Sequence, residues 1–244
     1  MKVLIVIPAY NEQEAIKHTL TSLTQLGPDY EVIVVDDGSR DRTGEVVRAF
    51  HKRYPELKIH LVSLPRNRGI GAAVQTGYLF AREKGGYEYV VQFDGDGQHD
   101  ATAIPNLVQT CSDQKLDLCV GSRFLAGGQD NFRSTATRRL GISFFAALIS
   151  WLSGVKVTDP TSGFRCCGPR AWRAFADRYP DDYPEPEALY WCARNRLAIG
   201  EIPVRMFERA GGVSSIRLSS GFYYMFKVTL AILVDRIRKQ EKTR

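Results

Sequence analysis

Asp94 and Asp96 stand two residues apart at the end of the apolar run 87–93, interleaved with Gly95 and Gly97. In an extended chain, side chains two apart point the same way, so both carboxylates are expected on one side, where the glycines let a ligand come close. Carboxylates this near each other are costly to bury without a counter-charge. A hard divalent cation, Mg2+ or Mn2+, answers that cost, because it takes carboxylate oxygens and keeps positions for water and substrate phosphate. Gln98 can add a neutral oxygen, making Asp94, Asp96 and Gln98 the candidate metal set. A calcium loop of the helix-loop-helix kind is excluded, since no glutamate follows at the required spacing. His99 could add a further ligand, but a lone loop histidine is more often solvent-exposed, and that is the expectation for it.

Two further polar clusters end apolar runs: Pro8-Ala9-Tyr10-Asn11-Glu12 and Asp36-Asp37-Gly38-Ser39. Each taken singly is also what a capped turn looks like, and Asp41 reads as the cap of the helix it begins. What gives the clusters meaning is the order of elements around them. Residues 3–7, 31–35, 58–62, 87–93 and 116–121 are short β-branched runs that read as buried strands. Helical patterns at 12–26, 41–54, 69–84 and 103–111 alternate with them. That alternation implies an α/β fold with a mostly parallel, Rossmann-like sheet covered by helices on both faces. Ligands of such sheets sit outside the carboxyl ends of the strands, where all three clusters fall.

The second half is less regular. Helices are expected over 138–152, 185–197 and 219–238, a loop or strand pair over 159–167, and a further strand over 201–208. With no composition shift to mark a linker, residues 1–210 read as one catalytic domain and 211–244 as a loop plus a basic amphipathic helix.

Composition narrows the setting. The chain has 244 residues, 44% of them hydrophobic and 25% charged, enough for a full core without disulfides. Its five cysteines are odd in number, lack a C-x-x-C spacing and include the adjacent pair Cys166 and Cys167, which fits a reducing compartment. The apolar run after Met1-Lys2 is too short for a signal-peptide core, so a cytoplasmic location is expected. Of the net charge of +6, a local excess of five lies between Arg217 and Arg244. A basic tail of that kind suits an anionic membrane leaflet or an acidic partner. No aromatic RNA-binding signature or basic recognition helix accompanies it, so nucleic acid is not the expected partner.

Taken in order, Pro8-Ala9-Tyr10-Asn11-Glu12, Asp36-Asp37-Gly38-Ser39, Arg66-Asn67-Arg68-Gly69 and Asp94-Gly95-Asp96-Gly97-Gln98 resemble family 2 glycosyltransferases of the GT-A fold. Gly121-Ser122-Arg123, Ser162-Gly163-Phe164-Arg165 and residues 204–216 extend the resemblance to the branch of dolichyl-phosphate mannose synthases and bacterial polyprenyl-phosphate glycosyltransferases. The resemblance implies a metal-dependent, inverting transfer from a nucleotide-sugar donor to a polyprenyl phosphate. It would have Pro8, Tyr10, Glu12 and Asp37 hold the donor's base and ribose, and Asp94, Asp96 and Gln98 hold the metal on its diphosphate. Gly69 and Gly71 would let backbone approach phosphate, Arg209 would close over the diphosphate, and Arg123, Arg138 and Arg139 would take the acceptor phosphate. UDP-glucose, UDP-N-acetylglucosamine and GDP-mannose all stay open as donors, with a UDP-sugar favoured by the Gly-Val-Ser-Ser-Ile run and the Tyr-Tyr-Met tail.

Many hydroxyl-directed relatives carry a Glu-Asp pair where this chain reads Pro184-Glu185-Pro186-Glu187. A phosphate monoester, with a second pKa near about 6, needs no base to become nucleophilic. The missing Asp therefore favours a phosphate acceptor, with Glu187 left to orient a sugar hydroxyl or support Arg165. The alternatives are transfer to a saccharide hydroxyl in cell-wall or capsule assembly, and a noncatalytic nucleotide or nucleic-acid binding module. Residues 222–234 are apolar but far short of the roughly 20 that cross a bilayer. With Arg217, Lys227, Arg236, Arg238 and Lys239 around them, they read either as a surface-lying membrane helix or as a helix packed on the sheet. Residues 140–152 carry the same ambiguity. The expected company is thus the inner membrane face, with a small membrane-protein partner or a homo-oligomer.

Overall fold

The computed structural model describes residues 1–125, 136–181, 184–207 and 218–237, with side chains described from 139 onward in the first of its two long later helices and from 225 to 236 in the second. The strands are β1 (Val3–Ala9), β2 (Tyr30–Asp36), β3 (Ile59–Ser63), β4 (Tyr89–Gln92), β5 (Leu118–Ser122), β6 (Arg165–Cys167) and β7 (Ile199–Pro203). They form one sheet in the order β3-β2-β1-β4-β6-β5-β7. All neighbours are parallel except β6, which runs antiparallel to both β4 and β5.

The helices are α1 (Ile16–Leu23), α2 (Thr43–Arg53), α3 (Ile70–Lys84), α4 (Ile104–Asp113), α5 (Ala136–Ser153), α6 (Pro169–Asp177), α7 (Pro184–Arg194) and α8 (Leu218–Ile237). Alternation along β1 divides the core into two layers. Val3, Ile5 and Ile7 join Ile16, Leu20, Val47 and Leu107 beneath α1, α2 and α4. Leu4 and Val6 face α3 and the later helices, with Tyr78, Phe145, Phe175, Leu189 and Ile232. Both faces are covered, which is why the strands read as unbroken apolar runs.

At three points the structure differs from expectation. The strand expected over 201–208 lies at Ile199–Pro203, and beyond it Met206 makes only an isolated bridge to His99. Residues 159–167, expected as a loop or a strand pair, give a loop held by side chains as far as Phe164 and then the single strand β6. The helix α6 was not foreseen. It buries Ala171, Trp172, Phe175 and Ala176 at helical spacing, but its nine residues, three of them in the exposed charged set Arg170, Arg173 and Asp177, are too few for a clear period.

Of the two readings of α8, the packed helix is what one of its sides shows. Val228 and Ile232 are buried in the core layer next to α7, while Phe226 and Leu230 on its other side are 69% and 49% exposed. Among the described residues, no helix is long and apolar enough to cross a membrane.

Candidate active site

The turns after β1, β2 and β4 are tied to one another at the carboxyl edge. Asp37 donates its backbone N–H to the Ala9 carbonyl at 2.8 Å. Asn11, in the left-handed region at φ 55°, donates its N–H to Ser39 Oγ, and its own side-chain oxygen accepts from Arg40 N at 2.8 Å. The N–H of Glu12 reaches Thr43 Oγ1 at 2.9 Å. From α1, Thr19 Oγ1 donates to the Gly95 carbonyl at 2.9 Å, holding the β4 turn against the same face.

Asp37 organises the donor side. Its Oδ1 accepts from Arg68 N at 2.7 Å and its Oδ2 from Gly69 N at 2.9 Å, so one carboxylate ties the 66–69 loop to β2. Burial raises its pKa, and the two N–H groups only partly offset that rise. Gly38, at φ +68°, lies where a Cβ would come within 2.5 Å of the Arg66 backbone, so only glycine lets the two segments meet. Tyr10, just past β1, is 39% exposed and Pro8 is half-buried near the end of that strand. Gly69, at φ +91°, starts α3. Gly71 is corrected: its N–H bonds the Asp181 carbonyl at 3.0 Å and a Cβ there would strike Pro180 and Asp181, so its smallness serves packing.

The acidic loop is not the extended strand expected. β4 stops at Gln92 and a turn through Gly97, at φ +75°, carries Asp96 past Asp94. Asp96 is buried and accepts the Gln98 N–H at 3.0 Å. Gln98 is tied to Phe207 twice, through its carbonyl at 2.8 Å and through its side-chain amide at 3.4 Å. Asp94 Oδ2 faces His99 Nε2 at 3.0 Å, while its Oδ1 is buried without a hydrogen-bond partner among the described residues. Burial alone would raise the Asp94 carboxyl, but the hydrogen bond and charge of His99, with the Gln92 side chain and the charge of Arg165 adding to them, outweigh it and hold the pKa below its ordinary value. His99 itself is corrected: its side chain is 3% exposed, packed between Phe93 and Phe164.

These residues fit a divalent cation. The oxygens are hard, and one buried carboxylate oxygen lacks a donor among the described residues. Two carboxylates of this kind suit Mg2+ or Mn2+ completed by water and phosphate.

The cations divide. Arg123 is corrected: its fork grips Asp159, Nε to Oδ2 at 2.6 Å and Nη2 to Oδ1 at 2.7 Å, and Nη2 also meets Thr161 Oγ1 at 2.8 Å. Asp159 is fully buried and the 158–159 backbone is further held by the Glu201 carboxylate at 2.9–3.0 Å. A strand-end arginine looks the same in sequence whether it holds a phosphate or a loop. Arg139 is exposed on α5, the side chain of Arg138 lies outside the described residues, and so does Arg209.

On α7, Glu185 and not Glu187 turns toward the acidic loop. Its carboxylate accepts from Gln92 Nε2 at 3.2 Å, and Tyr179 donates to Gln92 Oε1 at 3.3 Å. The fully buried Arg165 donates to the Ser162 and Glu185 carbonyls. Burial raises the Glu185 pKa, Arg165 opposes the rise, and the charge of Asp94 adds to it. Glu187 lines a cavity of about 280 Å3 on the far side, with Tyr179, Tyr190, Trp191 and Ile232. Residues two apart on a helix point some 200° from each other, which the Pro-Glu-Pro-Glu spelling does not reveal without the helix phase.

The sequence pattern of glycosyl transferase family 2 matches residues 4–178, which carry the turns after β1, β2 and β4. The chain belongs to glycosyl transferase family 2. It is 31% identical to a polyprenol monophosphomannose synthase of Mycolicibacterium smegmatis over 231 residues, covering 93% of this chain and 85% of the relative. It is 30% identical to a UDP-N-acetylglucosamine–dolichyl-phosphate N-acetylglucosaminyltransferase of Methanococcus voltae over 252 residues, 96% of this chain and 98% of the relative. In fold, this family 2 chain is similar to the glucosyl-3-phosphoglycerate synthase of Mycobacterium tuberculosis, solved with Mn2+, UDP-glucose and phosphoglyceric acid. The TM-score is 0.71 at 21% identity, over 98% of this chain and 81% of that one. The fold is therefore the GT-A fold.

Proposed function

We propose that the chain transfers a sugar, with inversion, from a nucleotide-sugar donor to a polyprenyl phosphate at a membrane surface. The observation that carries this reading is the placement, at one carboxyl edge of the sheet, of the Asp37-held 66–69 loop and of a buried Asp94 oxygen that has no hydrogen-bond partner among the described residues. The first offers backbone and Tyr10 to a nucleoside, and the second offers charge-binding oxygen to a diphosphate. The names of the two relatives, both acting on polyprenyl-type lipids, support the acceptor class.

Asp94 and Asp96 would hold Mg2+ or Mn2+, which when bound neutralises the diphosphate and stabilises the charge that builds on the leaving nucleotide. An oxygen of the acceptor phosphate forms the new bond to the anomeric carbon. The bond from that carbon to the donor diphosphate breaks, and the nucleoside diphosphate leaves with its electron pair. The acceptor is already an anion near neutral pH, so none of the chain's residues has to take a proton from it. Glu185, accepting from Gln92 beside Asp94, is suited to hold the Gln92 side chain in place. Arg139, Arg138 and Arg209 supply cations for the two phosphate groups, while Arg123 holds the 158–161 loop.

The membrane side would be formed by α5 and α8. A Cβ on Gly141 would lie 3.8 Å from Met225 Sδ, and Arg236 stands 5.9 Å from the ring of Trp151, so the two helices run side by side in the same direction. Leu140, Phe144 and Trp151 on one and Phe226 and Leu230 on the other are exposed. Apolar stripes beside exposed arginines suit the headgroup boundary of an anionic leaflet.

Incubation of the chain with undecaprenyl phosphate and radiolabelled UDP-glucose, UDP-N-acetylglucosamine or GDP-mannose, with Mg2+ or Mn2+, tests the reading. Label passing into the organic phase from one donor supports it. Label appearing only on a soluble saccharide, or none transferred from any donor, overturns it.

A further inference from the structure

The Asp94 carboxylate is clamped from two sides. On one, His99 Nε2 lies 3.0 Å from Oδ2. On the other, Gly163 approaches so closely that a Cβ there would come within 2.7 Å of Oδ2 and 2.8 Å of Oδ1. The imidazole is itself immobilised. Its centroid lies 5.6 Å from that of Phe93 and 5.2 Å from that of Phe164, and its backbone bridges to Met206. The bond to the Asp94 carboxylate, which can only accept, calls for a hydrogen on Nε2. Nδ1 has no partner among the described residues, so the ring's one polar connection there runs to Asp94. A buried histidine kept with half its polarity unsatisfied is costly unless the other half does something.

We propose that His99 is a positioning residue. By occupying Oδ2 it fixes the rotation of the Asp94 carboxylate and leaves Oδ1 presented for the divalent cation. The inference rests on the assignment of the cation to Asp94 and Asp96. His99 is too enclosed to meet substrate, and it acts only through the aspartate. Outer-shell partners that orient a metal ligand are generally worth 10- to 100-fold in metal affinity.

Direct binding of Mn2+ to the chain, in the presence of UDP and in parallel GDP, is measured by calorimetry or by loss of the free Mn2+ paramagnetic signal. His99→Phe keeps an aromatic ring between Phe93 and Phe164 but removes the donor. His99→Asn keeps polarity but is too short to reach Oδ2, and His99→Gln places an amide N–H near the position of Nε2. Expected are Mn2+ affinities about 10- to 100-fold weaker for Phe and Asn, and recovery to within a few fold of the parent for Gln. If Phe does not fold, the Asn and Gln pair decides alone. Parent-like Mn2+ binding by Phe or Asn, in a series where Asp96→Ala has lost it, overturns the role of His99 and leaves the cation site standing. Parent-like binding by Asp96→Ala overturns the cation site, and the role of His99 with it.

Discussion

Arg123 and Asp159 form a two-bond ion pair that solvent barely reaches, with side chains 6% and 0% exposed. A fork spent in this way orders the 158–161 loop, whose other anchor is Glu201 of β7. Removing one partner strands the other in a buried place. Arg123→Ala should therefore cost about 3–5 kcal/mol of stability, read by urea unfolding. A variant as stable as the parent, defective only in its requirement for acceptor, would return Arg123 to the phosphate.

Asp37→Ala should weaken donor binding by roughly 10- to 100-fold, because two backbone N–H groups lose a charged acceptor contributing about 1.5–3 kcal/mol and the 66–69 loop loses its tie to β2. Calorimetric titration with UDP and GDP checks it. Unchanged affinity for both would take the nucleoside away from this loop.

Glu185→Gln should retain most of the transfer to a polyprenyl phosphate, since an amide oxygen still accepts from Gln92 where the carboxylate did and the acceptor anion needs no base. The same variant losing all transfer while still binding donor would make Glu185 a base and the acceptor a hydroxyl.

At the opposite edge of the sheet, the buried Glu31 accepts from Tyr87 OH at 2.6 Å and Lys84 Nζ at 2.8 Å, with Lys2 and Lys58 at 3.1 and 3.6 Å. Burial alone would raise this carboxyl, but Lys84, Tyr87, Lys2 and His60 together hold it far below the ordinary carboxylate range. Because folding lowers its pKa, Glu31 stabilises the fold above the unfolded value of about 4.3 and loses that contribution as pH falls toward the folded value. Glu31→Gln should cost about 1–3 kcal/mol near pH 7. The gap in Tm between variant and parent should narrow as pH drops below about 4.3. A gap constant from pH 7 to 3 would contradict it.

Trp151→Ser with Phe226→Ser should weaken binding to anionic liposomes while leaving Tm nearly unchanged, since both side chains are mostly exposed, at 78% and 69%. Burying such a side chain contributes about 1.5–3 kcal/mol, so cosedimentation should show a loss of tenfold or more. Unaltered liposome binding would move membrane contact elsewhere.

The alternating strands and helices were legible because both faces of the sheet are covered, which makes each strand a short apolar run of its own. Asp37, Asp94 and Asp96 were legible as strand-end polar clusters. The rest depended on information that spacing does not hold. His99 looks like any loop histidine until Phe93 and Phe164 enclose it. Glu185 and Glu187 exchange places with the phase of α7, and Arg123 needs a partner 36 residues away. Gly71 signals closeness but not to what, and the structure answers with Pro180 and Asp181.

Transfer to undecaprenyl phosphate by Asp96→Ala, beside the parent chain with and without a chelator, tests the metal-centred reading of this edge most directly. The cation stabilises charge as the nucleotide leaves, a contribution of several kcal/mol. Turnover should fall by about 10^3-fold or more at saturating Mg2+ or Mn2+, with Tm unchanged, and chelation should silence the parent reversibly. Near-parental transfer by Asp96→Ala, or full parental activity in excess chelator, would contradict it.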